Sequence, residues 1–131
     1  MPSCDDRRVS VPPADAIARV AAICEGLEGA VEHDAWTGVS WRVGGVTFAH
    51  VVEIVDGKPP IYARVFGTDG QATVLTFQAD EEDRAALGQV GPPFHLPPWR
   101  KGIVGVVIDG DSDWDEITEL VSESHRICAA R

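Results

Sequence analysis

The sequence lacks the short motifs that mark common catalytic and nucleotide-binding sites. It contains no G-x-S-x-G turn around a nucleophilic serine, no P-loop and no dinucleotide-binding glycine fingerprint. Ser124 and His125 are adjacent on a predicted helix, where neighbouring side chains point about 100° apart. They therefore do not form a nucleophile–base pair with each other. These absences predict no catalytic residue and favour a non-enzymatic protein.

Cysteine is scarce, and the three residues Cys4, Cys24 and Cys128 do not have the spacing of a metal site. Cys24 and Cys128 fall on apolar faces of predicted helices, so we expect both thiols to be buried. Unpaired buried thiols are typical of a reducing compartment, which predicts a cytoplasmic protein.

Metal-binding patterns are also missing, and we expect neither a metal nor a cofactor. The four histidines have no helical ligand spacing, which leaves only a site assembled across the fold from His33, Asp34 and His95. Aspartate alternates with other residues in the segment 109–115, as at the start of a calcium loop. The sixth and twelfth places of an EF-hand loop would be Trp114 and Leu120, however, so the match fails. A strand end followed by a helix cap is the favoured interpretation.

Positive charge is in short supply. Eleven lysines and arginines face 21 aspartates and glutamates, for a net charge of −10. Such a surface repels phosphate at long range and disfavours nonspecific binding to nucleic acid or to anionic membranes. Apolar runs of about 20 residues are absent, and no apolar run follows the charged segment Met1–Arg8, so we expect neither a membrane span nor a signal peptide.

What the sequence does contain is one ordinary domain over residues 1–131, with residues 1–11 as a loose lead-in. Apolar periodicity after Pro12-Pro13 predicts an N-terminal helix that ends at Gly26. A short acidic helix, Glu81–Leu87, and a closing helix that begins after Asp113 follow from charge and capping patterns. Five strands are predicted at Val39–Val43, Val46–Val52, Ile61–Phe66, Ala72–Phe77 and Ile103–Ile108.

These elements predict an α+β fold in the order α-β-β-β-β-α-β-α. Its five-stranded sheet is mostly antiparallel, and the N- and C-terminal helices pack against it. Gly44-Gly45 predicts a tight hairpin between the first two strands. In the second strand, alternation places Val46 and Phe48 on one face, with His50 as a further candidate for that face.

One cluster combines cations with aromatic residues. Trp99, Arg100 and Lys101 follow Phe94 and His95 in a proline-rich stretch, and Arg42, Lys58 and Arg64 could extend the cluster from the sheet. Cations contact phosphates and flat rings stack on bases, so the cluster is a candidate binding surface. The alternative is that Trp99 and Phe94 seal a loop over the core, and that Arg100 and Lys101 are an ordinary solvated pair.

Three stretches together resemble the MmcQ/YjbR family of small bacterial proteins. They are GAVEHDAWTGVSWRVGGVTFA at residues 29–49, the proline-rich approach and apolar strand at residues 93–107, and DWDEITELVSESHRICA at residues 113–129. The order of elements agrees from about Ala14 to Ala129. His125 replaces the tyrosine that usually follows the family's closing serine, and Ile103 replaces a common tryptophan.

The resemblance implies an α+β double-wing fold and a DNA-associated, regulatory protein. On this first hypothesis Arg42, Arg64, Trp99, Arg100 and Lys101 contact DNA. The second hypothesis is a small-ligand or protein-interaction module, in which Arg100 or Lys101 fixes an anion. The walls of that pocket would be Trp36, Phe94, His95 and Trp99. The expected partners are thus DNA or a small molecule, with no membrane, and the chain is expected to be a monomer or a weak homodimer.

Overall fold

The computed structural model describes residues 13–35, 37–66, 71–98 and 100–131. Four helices and six strands lie in this part of the chain. In order they are α1 (Pro13–Glu25), β1 (Val31–Asp34), β2 (Val39–Val43), β3 (Val46–Ile54), α2 (Pro60–Val65), β4 (Ala72–Gln78), α3 (Glu81–Val90), β5 (Phe94–His95), β6 (Ile103–Ile108) and α4 (Trp114–Ala129).

The strands form one antiparallel sheet in the order β1-β2-β3-β4-β6-β5. The predicted α+β class and antiparallel sheet are confirmed, with six strands instead of five. The predicted loop between α1 and β2 contains the edge strand β1, and the proline-rich approach contains the two-residue strand β5. Both are too short for alternation to be legible in the sequence.

The main core lies between the helices α1 and α4 and one face of the sheet, which we call the helix face. Val20 on α1, Val121 on α4, and Val51, Leu75 and Val104 on the strands are all fully buried in it. Cys24 and Cys128 are buried in the same core, as predicted. Apolar area removed from water on this face is the main source of stability.

A β-bulge at Phe48 decides which side chains reach each face. Trp41 pairs with Ala49 and Arg42 pairs with Thr47, so Phe48 is the extra residue of β3. Phe48 is fully buried in the core of the helix face, which Val46 also joins. Beyond the bulge His50 points to the other face. The prediction that Val46 and Phe48 share a face is confirmed, and the assignment of His50 to that face is wrong.

The predicted third strand, Ile61–Phe66, is wrong, because the helix α2 occupies this segment. Pro60 stands in the first turn of α2, where a missing N–H costs nothing, and β3 pairs directly with β4. Ala63 and Phe66 are three residues apart, so they lie on the same side of the helix, where both are buried against the second face of the sheet. A short apolar run fits either element. Here Pro60 is compatible with a helix start, and the close approach of Phe66 to Gly105 holds the helix on the sheet.

Helix capping agrees with the sequence. The Asp80 side chain accepts a hydrogen bond from the N–H of Asp83 at the start of α3, and the Asp113 side chain accepts from the N–H groups of Asp115 and Glu116 at the start of α4. Asp109 accepts from the N–H of Asp111. The acidic run at residues 109–115 is therefore a strand end followed by a helix cap, as predicted.

Candidate functional site

The second face of the sheet, which α1 and α4 leave uncovered, has a recess of about 200 Å³. Its floor is polar, with Ser40 from β2, Thr47 and His50 from β3, and Thr76 from β4. Ala35, Tyr62 on α2, Ile103 and the two arginines Arg42 and Arg100 form its walls and rim. We call this recess the arginine pocket.

Strand register explains why these polar side chains meet. Ser40 lies opposite His50, and His50 lies opposite Thr76, so the three form a row across neighbouring strands. Arg42 lies opposite Thr47 because the bulge at Phe48 shifts the alternation of β3. Directly paired residues point to the same face, so all five belong to the arginine pocket.

The floor offers a hydroxyl group, that of Ser40, which is open to the recess and available to a ligand. Ser40 is only 5% exposed and lines the pocket, and its hydroxyl makes no hydrogen bond within the part of the chain that the structure describes. The neighbouring Thr76 hydroxyl donates to the backbone oxygen of His50 over a long 3.5 Å. The Ser40 O–H can therefore donate a hydrogen bond to a ligand that enters the recess.

His50 contributes an acceptor to the same floor. Its Nε2 lies 2.8 Å from the carbonyl oxygen of Thr37, and since a carbonyl can only accept, Nε2 carries the proton. Burial lowers the pKa of His50, an effect that the Thr37 contact opposes. The ring is therefore neutral at pH 7, and its Nδ1 is an acceptor. The Thr37 hydroxyl donates to the backbone oxygen of Glu53, which fixes this loop against β3.

Two guanidinium groups rim the pocket and are free of acidic partners within the described residues. Among the described residues an ion pair joins Arg126 to Glu123 on α4. Neither Arg42 nor Arg100 forms an ion pair with a described residue. Tyr62 and Arg100 line the same pocket. Burial raises the pKa of Tyr62, and the positive charge of Arg100 opposes that rise. Guanidinium groups in this position, beside a polar recess, are suited to carboxylate or phosphate oxygens.

The loop that carries Arg100 is held by Arg84 of α3. The Arg84 Nε–H donates to the carbonyl of Ile103 over 3.0 Å, and an Nη2–H donates to the carbonyl of Pro97 over 3.2 Å. The N–H of Ala79 donates to the carbonyl of Gly102 over 2.8 Å. These bonds flank Arg100 on both sides along the chain and hold the backbone that presents its guanidinium at the rim.

The wall formed by α2 depends on a close approach at Gly105. A Cβ atom at this position of β6 would lie 2.2 Å from the Phe66 ring, so only glycine leaves room for it. Phe66 stacks on Tyr62 with 6.4 Å between ring centroids and meets the His95 ring edge-to-face at 4.9 Å. The ring of Phe66 therefore seats α2, and with it Tyr62, on the sheet.

The structure brings together two of the eight residues predicted for binding. Arg42 and Arg100 both line the arginine pocket. Arg64 and Lys101 are exposed outside it, and Arg64 lies beside Pro98 in a separate shallow depression. The two predicted tryptophans, Trp36 and Trp99, lie outside the described residues.

The structure separates the other two predicted pocket residues. Phe94 pairs with Val106 and is buried in the core of the helix face, whereas His95 pairs with Gly105 and lies against Phe66 on the second face. Burial lowers the pKa of His95. Neither residue lines the arginine pocket.

The metal site considered from sequence, His33 with Asp34 and His95, is excluded by topology. The first two residues lie on β1 and the third on β5, which are opposite edges of the sheet. Five strand spacings separate them, roughly 24 Å. No group of three or more histidines, cysteines and acidic residues is placed to hold a metal ion in the described part of the chain.

The side chains of Ser124 and His125 hydrogen-bond to different backbone groups. The Ser124 hydroxyl donates to the Phe48 carbonyl and accepts from the N–H of Gln78, and both contacts are buried. His125 Nε2 lies 2.7 Å from the carbonyl of Glu28, and its ring meets Phe48 edge-to-face. The expectation that the two residues do not act as a pair is in accord with this geometry.

Sequence reasoning missed most of the pocket floor and one wall, namely Ser40, Thr47, His50, Tyr62 and Thr76. The usable signal was the alternation of Ser40 and Arg42 with apolar residues in β2. The strand β4 has no such regular alternation, since Thr73 is out of phase with Thr76 and Gln78. In β3 the bulge at Phe48 interrupts the alternation, so Thr47 and His50 could not be placed on one face from sequence. Tyr62 was missed because the segment of α2 was predicted to be a strand.

Comparison with known proteins identifies the family but no activity. No functionally curated protein matches the sequence. A crystal structure of a Pseudomonas syringae protein, determined by the Northeast Structural Genomics Consortium, is similar in fold, with a TM-score of 0.65. It is 14% identical in sequence, over 85% of this chain and 97% of that one, so the likeness concerns the fold alone. Among the described helices none is long and apolar enough to cross a bilayer. The family model for YjbR matches residues 25–127, and the chain therefore belongs to the YjbR family.

Proposed function

We propose that this protein is a non-enzymatic binding module that takes a small oxyanion, a carboxylate or a phosphate group, in the arginine pocket. The observation that carries the proposal is that two arginines, Arg42 and Arg100, line one recess together with the hydroxyl-bearing Ser40. Charge-assisted hydrogen bonds from guanidinium groups are about twice as strong as neutral ones. The Ser40 hydroxyl supplies a further donor.

The size of the recess limits the ligand. Pockets for drug-sized molecules measure roughly 300–1,000 Å³, and this one measures about 200 Å³. It therefore suits a single charged group with a few further atoms, such as a small organic acid, better than a nucleotide. Tyr62 and Ile103 in the walls would contact the uncharged part of such a ligand.

Duplex DNA is the competing ligand, because the resemblance to the family implies DNA binding. A DNA surface needs cations spread along the path of the phosphates. Here Arg42 and Arg100 line a recess, and the net charge of −10 opposes long-range attraction to a duplex. Arg64 and Lys101 are exposed nearby and would be the further phosphate contacts on the DNA hypothesis. The pocket geometry favours the small anion.

The proposal is tested by NMR titration of the labelled protein with inorganic phosphate and with acetate, with arginine Nε–Hε and backbone resonances as the readout. We expect saturable shifts at Arg42, Arg100 and Ser40. Arg42→Ala and Arg100→Ala should each weaken binding about tenfold, since a hydrogen bond to a charged group contributes about 1.5–3 kcal/mol. Arg64→Ala is the matched control and should bind like the wild type, because its side chain lies outside the pocket.

Two results would overturn the proposal. One is the absence of any saturable shift in the wild type at high millimolar anion, and the other is unchanged affinity in both pocket variants. An electrophoretic titration with mixed-sequence duplex decides the competing hypothesis. DNA binding would give a mobility shift whose log–log salt dependence has a slope of several units. We expect no shift at low salt.

A further inference from the structure

Among the side chains that line the arginine pocket, that of His50 offers an atom that can only accept a hydrogen bond, whereas several others donate. The guanidinium groups of Arg42 and Arg100 are donors without acceptor capacity, and hydroxyls such as that of Ser40 can do either. His50 differs, because its Nε2–H is committed to the carbonyl of Thr37 over 2.8 Å. In the neutral ring the remaining polar atom, Nδ1, has a lone pair and no proton.

The acceptor at His50 is open to a ligand. The ring lines the pocket, and its Nδ1 has no hydrogen-bond donor among the residues described. An anion whose oxygens all carry lone pairs would place one of them against this lone pair, which is repulsive. An anion with a proton donor of its own would place that donor there and satisfy Nδ1.

We propose that the ligand of the arginine pocket is an oxyanion that carries its own hydrogen-bond donor beside its charged oxygens, as hydrogen phosphate and 2-hydroxy carboxylates do. This inference rests on the proposed function, since the two arginines must first attract an anion. His50 is then the residue that determines specificity. Buried polar groups discriminate strongly against analogues that leave them unpaired. The partial exposure of His50 lowers the expected preference to about tenfold, the equivalent of one good hydrogen bond.

Phosphate and sulfate are the sharpest probe pair. Both are tetrahedral dianions of nearly the same size at about pH 8, and only phosphate retains a proton to donate there. A second matched pair, glycolate and acetate, tests the carboxylate form of the same chemistry. If phosphate is preferred over sulfate while glycolate and acetate bind alike, the donor must sit on the charged group itself. If both pairs show the preference, small hydroxy acids are within the ligand class.

Two substitutions of His50 separate its two contacts. In His50→Asn the amide oxygen takes the δ position of the ring, so the acceptor is kept while the Thr37 contact is lost. In His50→Gln the amide reaches the ε position, so the Thr37 contact is kept while the acceptor at the δ position is lost. We expect phosphate to bind about tenfold more tightly than sulfate in the wild type, a preference that His50→Asn retains and His50→Gln abolishes. In His50→Gln both anions should still shift the resonances of Arg42 and Arg100.

The affinities for phosphate and sulfate distinguish a failure of this inference from a failure of the proposed function. Equal affinity for phosphate and sulfate in the wild type would overturn this inference and leave the arginine pocket standing as an anion site. Persistence of the preference in His50→Gln, with the variant folded by its amide spectrum, would overturn the assignment to His50. Absence of binding by either anion would overturn both this inference and the proposed function.

Discussion

Ser124→Ala is the substitution that tests most directly how this fold is held together. The Ser124 hydroxyl is fully buried between α4 and the sheet. It accepts from the N–H of Gln78 over 2.8 Å and donates to the carbonyl of Phe48 over 2.6 Å. Phe48 is the bulge residue of β3, so the strand ladder does not pair it with a residue of β2. The serine thus satisfies the backbone at the point where the sheet is irregular.

The magnitude follows from the two groups left behind. Removing the hydroxyl leaves one buried N–H and one buried C=O without a partner, and each costs about 1–3 kcal/mol. Alanine is the better helix former by roughly 0.5 kcal/mol, which offsets part of the loss. We expect the free energy of unfolding to fall by about 3 kcal/mol. At roughly 4 °C per kcal/mol for a domain of this size, the midpoint of thermal unfolding should fall by about 12 °C.

The assay is urea unfolding followed by tryptophan fluorescence and circular dichroism, with Ser122→Ala as the matched control. Ser122 lies on the same helix and is only partly buried, so its substitution changes helix propensity without removing a buried contact. A free energy of unfolding for Ser124→Ala within about 1 kcal/mol of that control would refute the role of the serine at the bulge. A changed m-value would mean that the variant alters the unfolded or native ensemble instead of one contact.

Two further predictions concern Arg84 and Cys24. Arg84→Ala should weaken phosphate binding several-fold, because it removes the two hydrogen bonds that hold the loop carrying Arg100. In an Arg100→Ala background the same substitution should have no further effect on binding. Additive losses in this double-mutant cycle would argue that Arg84 acts elsewhere. The pKa of Cys24 is raised from 9.0 to about 12, mainly by burial and secondly by the charge of Glu32. Between these two pH values the thiol loses its proton in the unfolded chain and keeps it in the folded chain. The free energy of unfolding should therefore fall as pH rises through this range. The urea midpoint measured across this range should fall less steeply in Cys24→Ala than in the wild type, and identical slopes would contradict the assignment.

The elements best predicted from sequence are those with strong local signals. The apolar run Ile103–Ile108 is β6 with the predicted bounds, and the Asp113 cap begins α4 as expected. Gly44 and Gly45 both have positive φ, as the predicted two-residue hairpin requires. In each case a few neighbouring residues determine the conformation, so no tertiary information is needed.

The elements that were missed depend on contacts distant in sequence. Apart from Arg64 the segment 61–66 is apolar, and each of its ends has one β-branched and one aromatic residue, a composition that fits a strand. The helix that forms instead is held on the sheet by the packing of Phe66 on Gly105. The bulge at Phe48 is stabilised by Ser124, which is 76 residues away. Neither partner could be identified from local periodicity.

The candidate site was predictable only in its charges. Arg42 and Arg100 stand out in the sequence because cations are few, and both line the pocket. The floor residues could not be predicted, because Ser40, His50 and Thr76 meet only through the register of β2, β3 and β4. A strand register has to be known before a polar row across a sheet can be read.

The strongly acidic composition of the chain is compatible with an anion pocket because charge acts over a limited distance. The acidic side chains of α4, including Glu116 and Glu119, lie on the helix that packs on the opposite face of the sheet. These side chains are exposed to solvent, and at physiological salt charges that interact through solvent are largely screened beyond about 8 Å. Their repulsion of an anion on the far side of the sheet is therefore reduced. On the proposed function, Arg42 and Arg100 would act at contact distance on a small ligand, where screening is least. A long duplex would instead experience the repulsion of the whole surface, so the same charge distribution that permits a small anion discourages an extended one.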